Sequence, residues 1–370
     1  MSYRIAIILL MLCASAAAKP AQTELGSIDY QIVASGLEHP WSLAFLPDGR
    51  FLVSERPGRL RVIEADGRLN PQPVGGLPAI KASGQGGLLD VVLHPDFEQN
   101  RWVYFSYNEA GPSGMGTAVA RGRLRGMRLH ETEVLFRLMP KSSTGRHFGS
   151  RLVFDRRGYL FITLGDRGDR PRAQDLADHA GSVIRLHDDG RIPSDNPFVG
   201  REGALAEIFS YGHRNIQGAT LHPQTGRLWT HEHGPQGGDE INLPQAGVNH
   251  GWPVITHGVN YVIGTQIGEG THKPGMAQPL YYWVPSIAPS GMAFYRGDAL
   301  PFWQDDLFIG SLKFGLLVRL RIRDGEVVHE ERLLEGELGR IRDVRLGPDG
   351  LLYLLTDAGN GRLVRLRPAQ

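Results

Sequence analysis

Six times along a chain of 370 residues, a short apolar strand runs into a Pro-Asp-Gly-like turn and out again into a second apolar or aromatic strand. The copies are Trp41–Ser54, Leu89–Asp96 with Trp102–Ser106, Ser150–Thr163, Gly218–Trp229, Gly291–Tyr295 with Asp306–Gly310, and Arg342–Leu355. Marking each second strand by Phe51, Val103, Leu160, Leu228, Leu307 and Leu352 gives intervals of 52, 57, 68, 79 and 45 residues. Those are blade spacings with insertions, and they predict an all-β, six-bladed β-propeller, in which radial repetition of small sheets leaves few free edges. Two separate β-sandwiches would need closer strand spacing and a linker near the middle, and neither is present. Outer strands are expected at Leu60–Ile63, Leu316–Ile322 and Leu363–Arg367, a helical turn or two only within Ala173–Leu186, and an ordered loop insertion over 256–290, which carries Tyr261, Tyr281, Tyr282 and Trp283.

Composition narrows the partners. Forty Lys and Arg stand against 39 Asp and Glu, so no global field recommends nucleic acid or an anionic membrane. Residues 1–18 read as a signal peptide, with Arg4 in the positive segment, Ile5–Cys13 apolar and Ala16-Ala17-Ala18 at the cleavage site. The mature chain, 19–370, is then a single catalytic domain, periplasmic or secreted. The sole Cys, Cys13, lies in that leader, so the mature protein has no disulfide; lipid anchoring at Cys13 is the weaker option. No later apolar run reaches the ~20 residues of a transmembrane span.

A propeller collects chemistry where loops from several blades meet at one mouth of its channel. Gln85 (in Gly84-Gln-Gly-Gly87) precedes the second blade's inner strand, His147 (in Gly145-Arg-His-Phe-Gly149) the third's, Arg214 and Asn215 (in Ser210–Gly218) the fourth's. Lys313 follows a strand of the fifth, and Arg340 and Arg342 belong to the start of the sixth. The set holds one potential base, four cations and two amides, without a Cys or Ser-His-Asp arrangement. It fits proton abstraction from a hydroxyl next to a polyanionic ligand better than nucleophilic hydrolysis. In Glu232–Asn242 a Gly234-Pro235 turn offers carbonyls, and Asp239 and Glu240 offer carboxylates, to a hard cation such as calcium.

The stretches Tyr211–Gly218, His233-Gly-Pro235 with Gly238–Asn242, Asn249–Pro253 and Arg340–Asp343 carry a resemblance to the pyrroloquinoline quinone (PQQ)-dependent soluble aldose sugar dehydrogenases of the glucose/sorbosone dehydrogenase family, running from about Gly36 to Pro368. The resemblance implies that His147 is the catalytic base, with Arg214 beside it. It implies that Gln85, Arg214, Asn215, Lys313, Arg340 and Arg342 hold PQQ, and that Gly234 and Pro235 bind calcium (Ca2+); Glu240 is the further metal residue, read from the acidic turn itself. It implies oxidation of an aldose at C1 to a lactone, electrons passing to an unidentified acceptor, in a monomer or dimer. The chain departs from the family pattern at Arg146, which bears on the cofactor contacts there, and at His250 and Tyr261-Val-Ile263, which leave a second calcium open. Two other classes remain: a calcium-dependent propeller lactonase or esterase, and a non-catalytic binding propeller.

Overall fold

A computed structural model describes residues 21–369; the leader and Cys13 lie outside the described residues. The first long strand belongs to the last blade. β1 (Ala21–Thr23) pairs with β2 (Gly26–Leu37), and β2 runs antiparallel to the final strand of the chain. Blade one is β3 (Pro40–Phe45), β4 (Phe51–Glu55) and β5 (Arg59–Ile63), with Val74 and Leu69 bridging to Leu60 and Ile63 where a fourth strand would lie. Blade two is β6 (Leu88–Leu93), β7 (Trp102–Gly111), β8 (Gly114–Arg125) and β9 (Arg128–Arg137), with the short helix α1 (Phe97–Asn100) between its first two strands. Blade three comprises β10 (Leu152–Phe154), β11 (Leu160–Thr163), β12 (Val183–Leu186) and β13 (Ile208–Ser210).

Blade four comprises β14 (Ile216–Leu221), β15 (Leu228–Glu232), β16 (Asp239–Asn242) and β17 (Tyr281–Trp283), and blade five β18 (Pro289–Phe294), β19 (Leu307–Ser311), β20 (Leu317–Arg323) and β21 (Glu326–Leu333). β22 (Ile341–Leu346), β23 (Leu352–Thr356) and β24 (Gly361–Pro368) complete the sixth with β2 on the outside, so the two ends of the described chain close the ring. The fold is the six-bladed propeller that the repeats predict, and closure removes the free edge that β24 would otherwise present.

The turn chemistry explains the hairpins. In Pro47-Asp-Gly49 the Gly49 N–H returns to the Leu46 carbonyl, and Gly49 takes φ +85°, a left-handed value that costs a residue without Cβ nothing. The core is six interblade layers: Leu52, Leu60, Val91 and Phe105 fill the space between blades one and two, Ile309, Val318, Trp229 and Ile241 between four and five, and Leu43, Val53, Leu355 and Leu363 between six and one. Burying one such side chain stabilises by about 1.5–3 kcal/mol, so each blade is held chiefly by its neighbours.

Three details depart from the sequence reading. Within Ala173–Leu186 the chain forms strand β12, and the helical turn falls just earlier, as a 3-10 turn over Arg170–Gln174. Tyr281–Trp283 is the outer strand of blade four rather than loop, because Tyr281 and Trp283 pack into the layer between blades four and five. The strands at Leu60–Ile63, Leu316–Ile322 and Leu363–Arg367 are the third of their blades, and an additional segment covers each. No helix among the described residues is long and apolar enough to cross a membrane.

Candidate active site

At one end of the ring the loops between blades surround a cavity of about 940 Å³, within the range that takes a small-molecule ligand. Gln85, His147, Arg214, Asn215, Gly234, Pro235, Lys313, Arg340 and Arg342 all line it. Each stands just before an inner strand, at its start as Arg342 does in β22, or in a turn at the same end of its blade, which is why segments far apart in sequence converge. Glu240 does not line it; its carboxylate is buried on β16 beside Asn242 and Glu232, and burial raises the pKa of both glutamates.

The loops before blades two and three interlock. The Gln85 N–H donates to the Gly145 carbonyl at 2.8 Å, and the His147 N–H donates to Gln85 Oε1 at 2.8 Å. A Cβ on Gly84 would run into the Gly145 backbone, and one on Gly87 into the Arg56 carbonyl, so the glycines around Gln85 are required by close approach. His147 itself has φ +53°, a costly conformation for a residue with a side chain, and one typical of functional positions.

The imidazole is oriented by a residue the sequence reading missed. His147 Nδ1 lies 2.6 Å from Asp166 Oδ1, and Asp166 also accepts from the Gly168 N–H at 2.6 Å and from Trp252 Nε1 at 2.8 Å. Burial alone would raise the Asp166 pKa, but the bond to His147, the charge of Arg214 and the Gly168 N–H bring it below its ordinary value, so Asp166 is ionised. The His147 pKa is also lowered, first by burial and then by the charges of Arg214 and Arg146, against the opposing pull of Asp166. A neutral ring with its proton on Nδ1, held by a carboxylate, leaves the Nε2 lone pair for a substrate proton.

Arg214 is buried and donates through Nη1 to the carbonyls of His233 (2.8 Å) and Gly234 (2.6 Å), which fixes it against the Gly234-Pro235 turn. Its Nε is buried with no protein partner. Asn215 Oδ1 accepts from the Gly149 N–H and from Gln217 Nε2, which leaves its amide nitrogen for a ligand. Asp239 spends both carboxylate oxygens on backbone, accepting from the N–H of Gly234 in the turn and of Ala288 just before β18, each at 2.8 Å.

Among the cations stands an acid that the motifs did not single out. Asp357 lines the cavity and pairs with Arg342 at 2.7 Å, with Arg340 at 3.6 Å and with His39 at 2.8 Å. Burial works against its ionisation, but Arg342 and His39 hold its pKa far below the usual range. Arg56 is a further cation in the lining that the motifs did not single out. The Lys313 ammonium lies 4.8 Å from the Phe314 ring centre and has no carboxylate partner among the described residues. Five cations against two already engaged carboxylates make a site for an anion.

Comparison with known proteins follows this geometry closely. Residues 37–365 match the family model described as Glucose / Sorbosone dehydrogenase. The chain is 49% identical over 366 residues to the aldose sugar dehydrogenase YliI of Escherichia coli (strain K12), covering 97% of each protein. A crystal structure of the soluble aldose sugar dehydrogenase from Escherichia coli in the apo-form superposes with a TM-score of 0.90 at 48% identity, covering 92% of this chain and 100% of that one. The PQQ-bound form of aldose sugar dehydrogenase from Streptomyces coelicolor gives a TM-score of 0.75 at 29% identity, covering 92% and 98%. Fold and cavity define a propeller dehydrogenase of the sugar-oxidising class. The chain belongs to the glucose/sorbosone dehydrogenase family.

Proposed function

We propose that this protein oxidises aldose sugars at C1 to lactones, with PQQ and calcium in the cavity and electrons passed on to an external acceptor. The observation that carries this reading is the meeting, in one cavity, of an Asp166-oriented His147 with Lys313, Arg340, Arg342 and Arg214. The residues fit the cofactor: an ammonium without a carboxylate partner and a buried guanidinium Nε without an acceptor are donors left over for a multiply anionic ligand. Lys313, Arg340 and Arg342 would hold its carboxylates, and Gln85, Asn215 and Arg214 the rest of its polar edge. When bound, PQQ supplies a two-electron acceptor and calcium a Lewis acid on it.

For calcium the fit is partial in the protein alone. The Gly234 carbonyl already accepts from Arg214, and the Pro235 carbonyl has only a 3.4 Å contact from Ser286, so these two oxygens would hold a cation only together with a bound ligand that completes its shell. Glu240, outside the lining, is not brought to this turn.

In the reaction, His147 Nε2 takes the proton of the C1 hydroxyl while Asp166 stabilises the imidazolium that forms. Arg214, fixed by two carbonyls, would stabilise an oxygen that gains negative charge, and its immobility means that no reorganisation would be needed as the charge appears. A carboxylate-built hydrolytic site is less well supported, since Asp239 is consumed by backbone N–H groups and Asp357 by arginines. Incubating the purified protein with PQQ and calcium and following dye reduction by several aldoses tests the reading. Reduction that depends on PQQ, calcium and the sugar together is expected, and none with any aldose overturns it.

A further inference from the structure

Of the twelve large hydrophobic side chains that are exposed among the described residues, five fall between 261 and 284: Tyr261, Val262, Ile263, Tyr282 and Val284. That concentration is not scattered surface apolarity: Tyr261 lines the cavity, and Val284 lies against Gly237 of the lining. Gln236 in the cavity lining exchanges two 3.1 Å backbone hydrogen bonds with Val259, the Gly258 backbone packs on the Pro235 ring, and Val284 covers Gly237. From Val259 the chain makes a tight loop, with the Asn260 N–H donating to the Thr265 carbonyl at 2.8 Å, Asn260 Nδ2 to Thr265 Oγ1 at 3.0 Å, and Arg170 to Asn260 Oδ1 at 2.8 Å.

The loop is therefore a fixed arm on the Gly234-Pro235 turn. It carries Tyr261, 58% exposed, into the lining that contains His147 and Arg214, while Val262 and Ile263 next to it are 98% and 71% exposed. A pyranose presents polar edges and apolar C–H faces, and the residues described so far in the cavity serve edges and charges. An exposed aromatic ring on a braced arm is the group suited to a C–H face, and it costs little entropy because the arm is already ordered.

Resting on the aldose-oxidation reading above, we propose that Tyr261 is a specificity-determining residue that packs against the sugar ring and sets the affinity for cyclic aldoses, without taking part in proton transfer. A positioning contact of this kind appears in KM and leaves the chemical step alone. The test uses protein loaded with PQQ and calcium, a dye acceptor, and two substrates: D-glucose, which offers a ring face, and glycolaldehyde hydrate, which does not. Tyr261→Ala is expected to raise KM for glucose roughly tenfold at unchanged kcat, with glycolaldehyde oxidation unaffected and Tyr261→Phe restoring the parent value.

PQQ affinity, read by absorbance titration without sugar, should be the same in all three proteins. An unchanged glucose KM in Tyr261→Ala overturns the proposal, as does an equal loss for both substrates or a weakened PQQ titration, which would make Tyr261 a support for the cofactor. A parent protein that oxidises neither substrate overturns the underlying reading instead.

Discussion

Lys313, Arg340 and Arg342 share a cavity but differ in what the protein asks of them. Lys313 has no carboxylate partner among the described residues, Arg340 is half-exposed with one bond to the Leu312 carbonyl at 3.0 Å, and Arg342 is tied to Asp357 at 2.7 Å. Removing any one deletes a charge-assisted contact to the proposed ligand of about 1.5–3 kcal/mol, or roughly tenfold or more in PQQ affinity. Lys313→Ala should do so at unchanged melting temperature, whereas Arg342→Ala should also lower that temperature, because it leaves partly buried Asp357 with only His39 and the more distant Arg340. Titration of the three variants with PQQ beside thermal melts checks both, and unchanged affinity in all three contradicts the assignment. These cations were legible in the sequence because each adjoins a strand that the repeats mark: Lys313 follows β19, and Arg340 and Arg342 stand at the start of β22. Asp166, Asp357 and Arg56 were not, because nothing local tells which of 39 acids or 40 bases the ring will turn towards a loop from another blade.

Among the elements, β2 has the largest task. It is contributed from the other end of the chain to the outside of blade six, in register from Ile28 opposite Pro368 to Leu37 opposite Gly361, with Ile28 and Leu37 fully buried. A variant beginning at Glu38 should lose several kcal/mol of burial, at about 1.5–3 kcal/mol per apolar side chain, and expose β24 as a free edge. A fall in melting temperature together with self-association in sedimentation is expected; a monodisperse protein with the parent melting temperature contradicts the role given to closure. The blade count could be read from the repeats because the inner hairpins carry the turn signal. The strands beyond the inner hairpins vary in length, from the 3 residues of β17 to the 12 of β2, so β17 looked like loop and β12 like the tail of a helical turn. In both, packing between blades decides the conformation, which a local pattern does not contain.

At the scale of the molecule the blades meet around an ionic knot. Arg151, just before β10, pairs with Asp90 of β6 at 3.3 Å and Asp343 of β22 at 2.9 Å, and Arg345 of β22 reaches the same two acids at 2.7 and 2.9 Å. Arg151 also donates to the Gln217 carbonyl of β14 and lies 4.1 Å from the ring centre of Trp41, a residue of the cavity lining. The knot therefore joins the blades and supports the site. Arg151→Ala leaves two buried carboxylates short of a partner and should destabilise by about 3–5 kcal/mol in chemical denaturation; a loss under about 1 kcal/mol would show the knot to be dispensable. The central claim, that this cavity carries out proton abstraction beside a bound quinone, is tested most directly by single-turnover stopped-flow reduction of bound PQQ by an aldose, in the parent and in His147→Gln. With the cations and the Gly234-Pro235 turn intact, the variant should bind PQQ with an unchanged spectrum and reduce it slower by a factor of about 10² or more. Equal rates in the two proteins, with PQQ bound in both, would contradict the account.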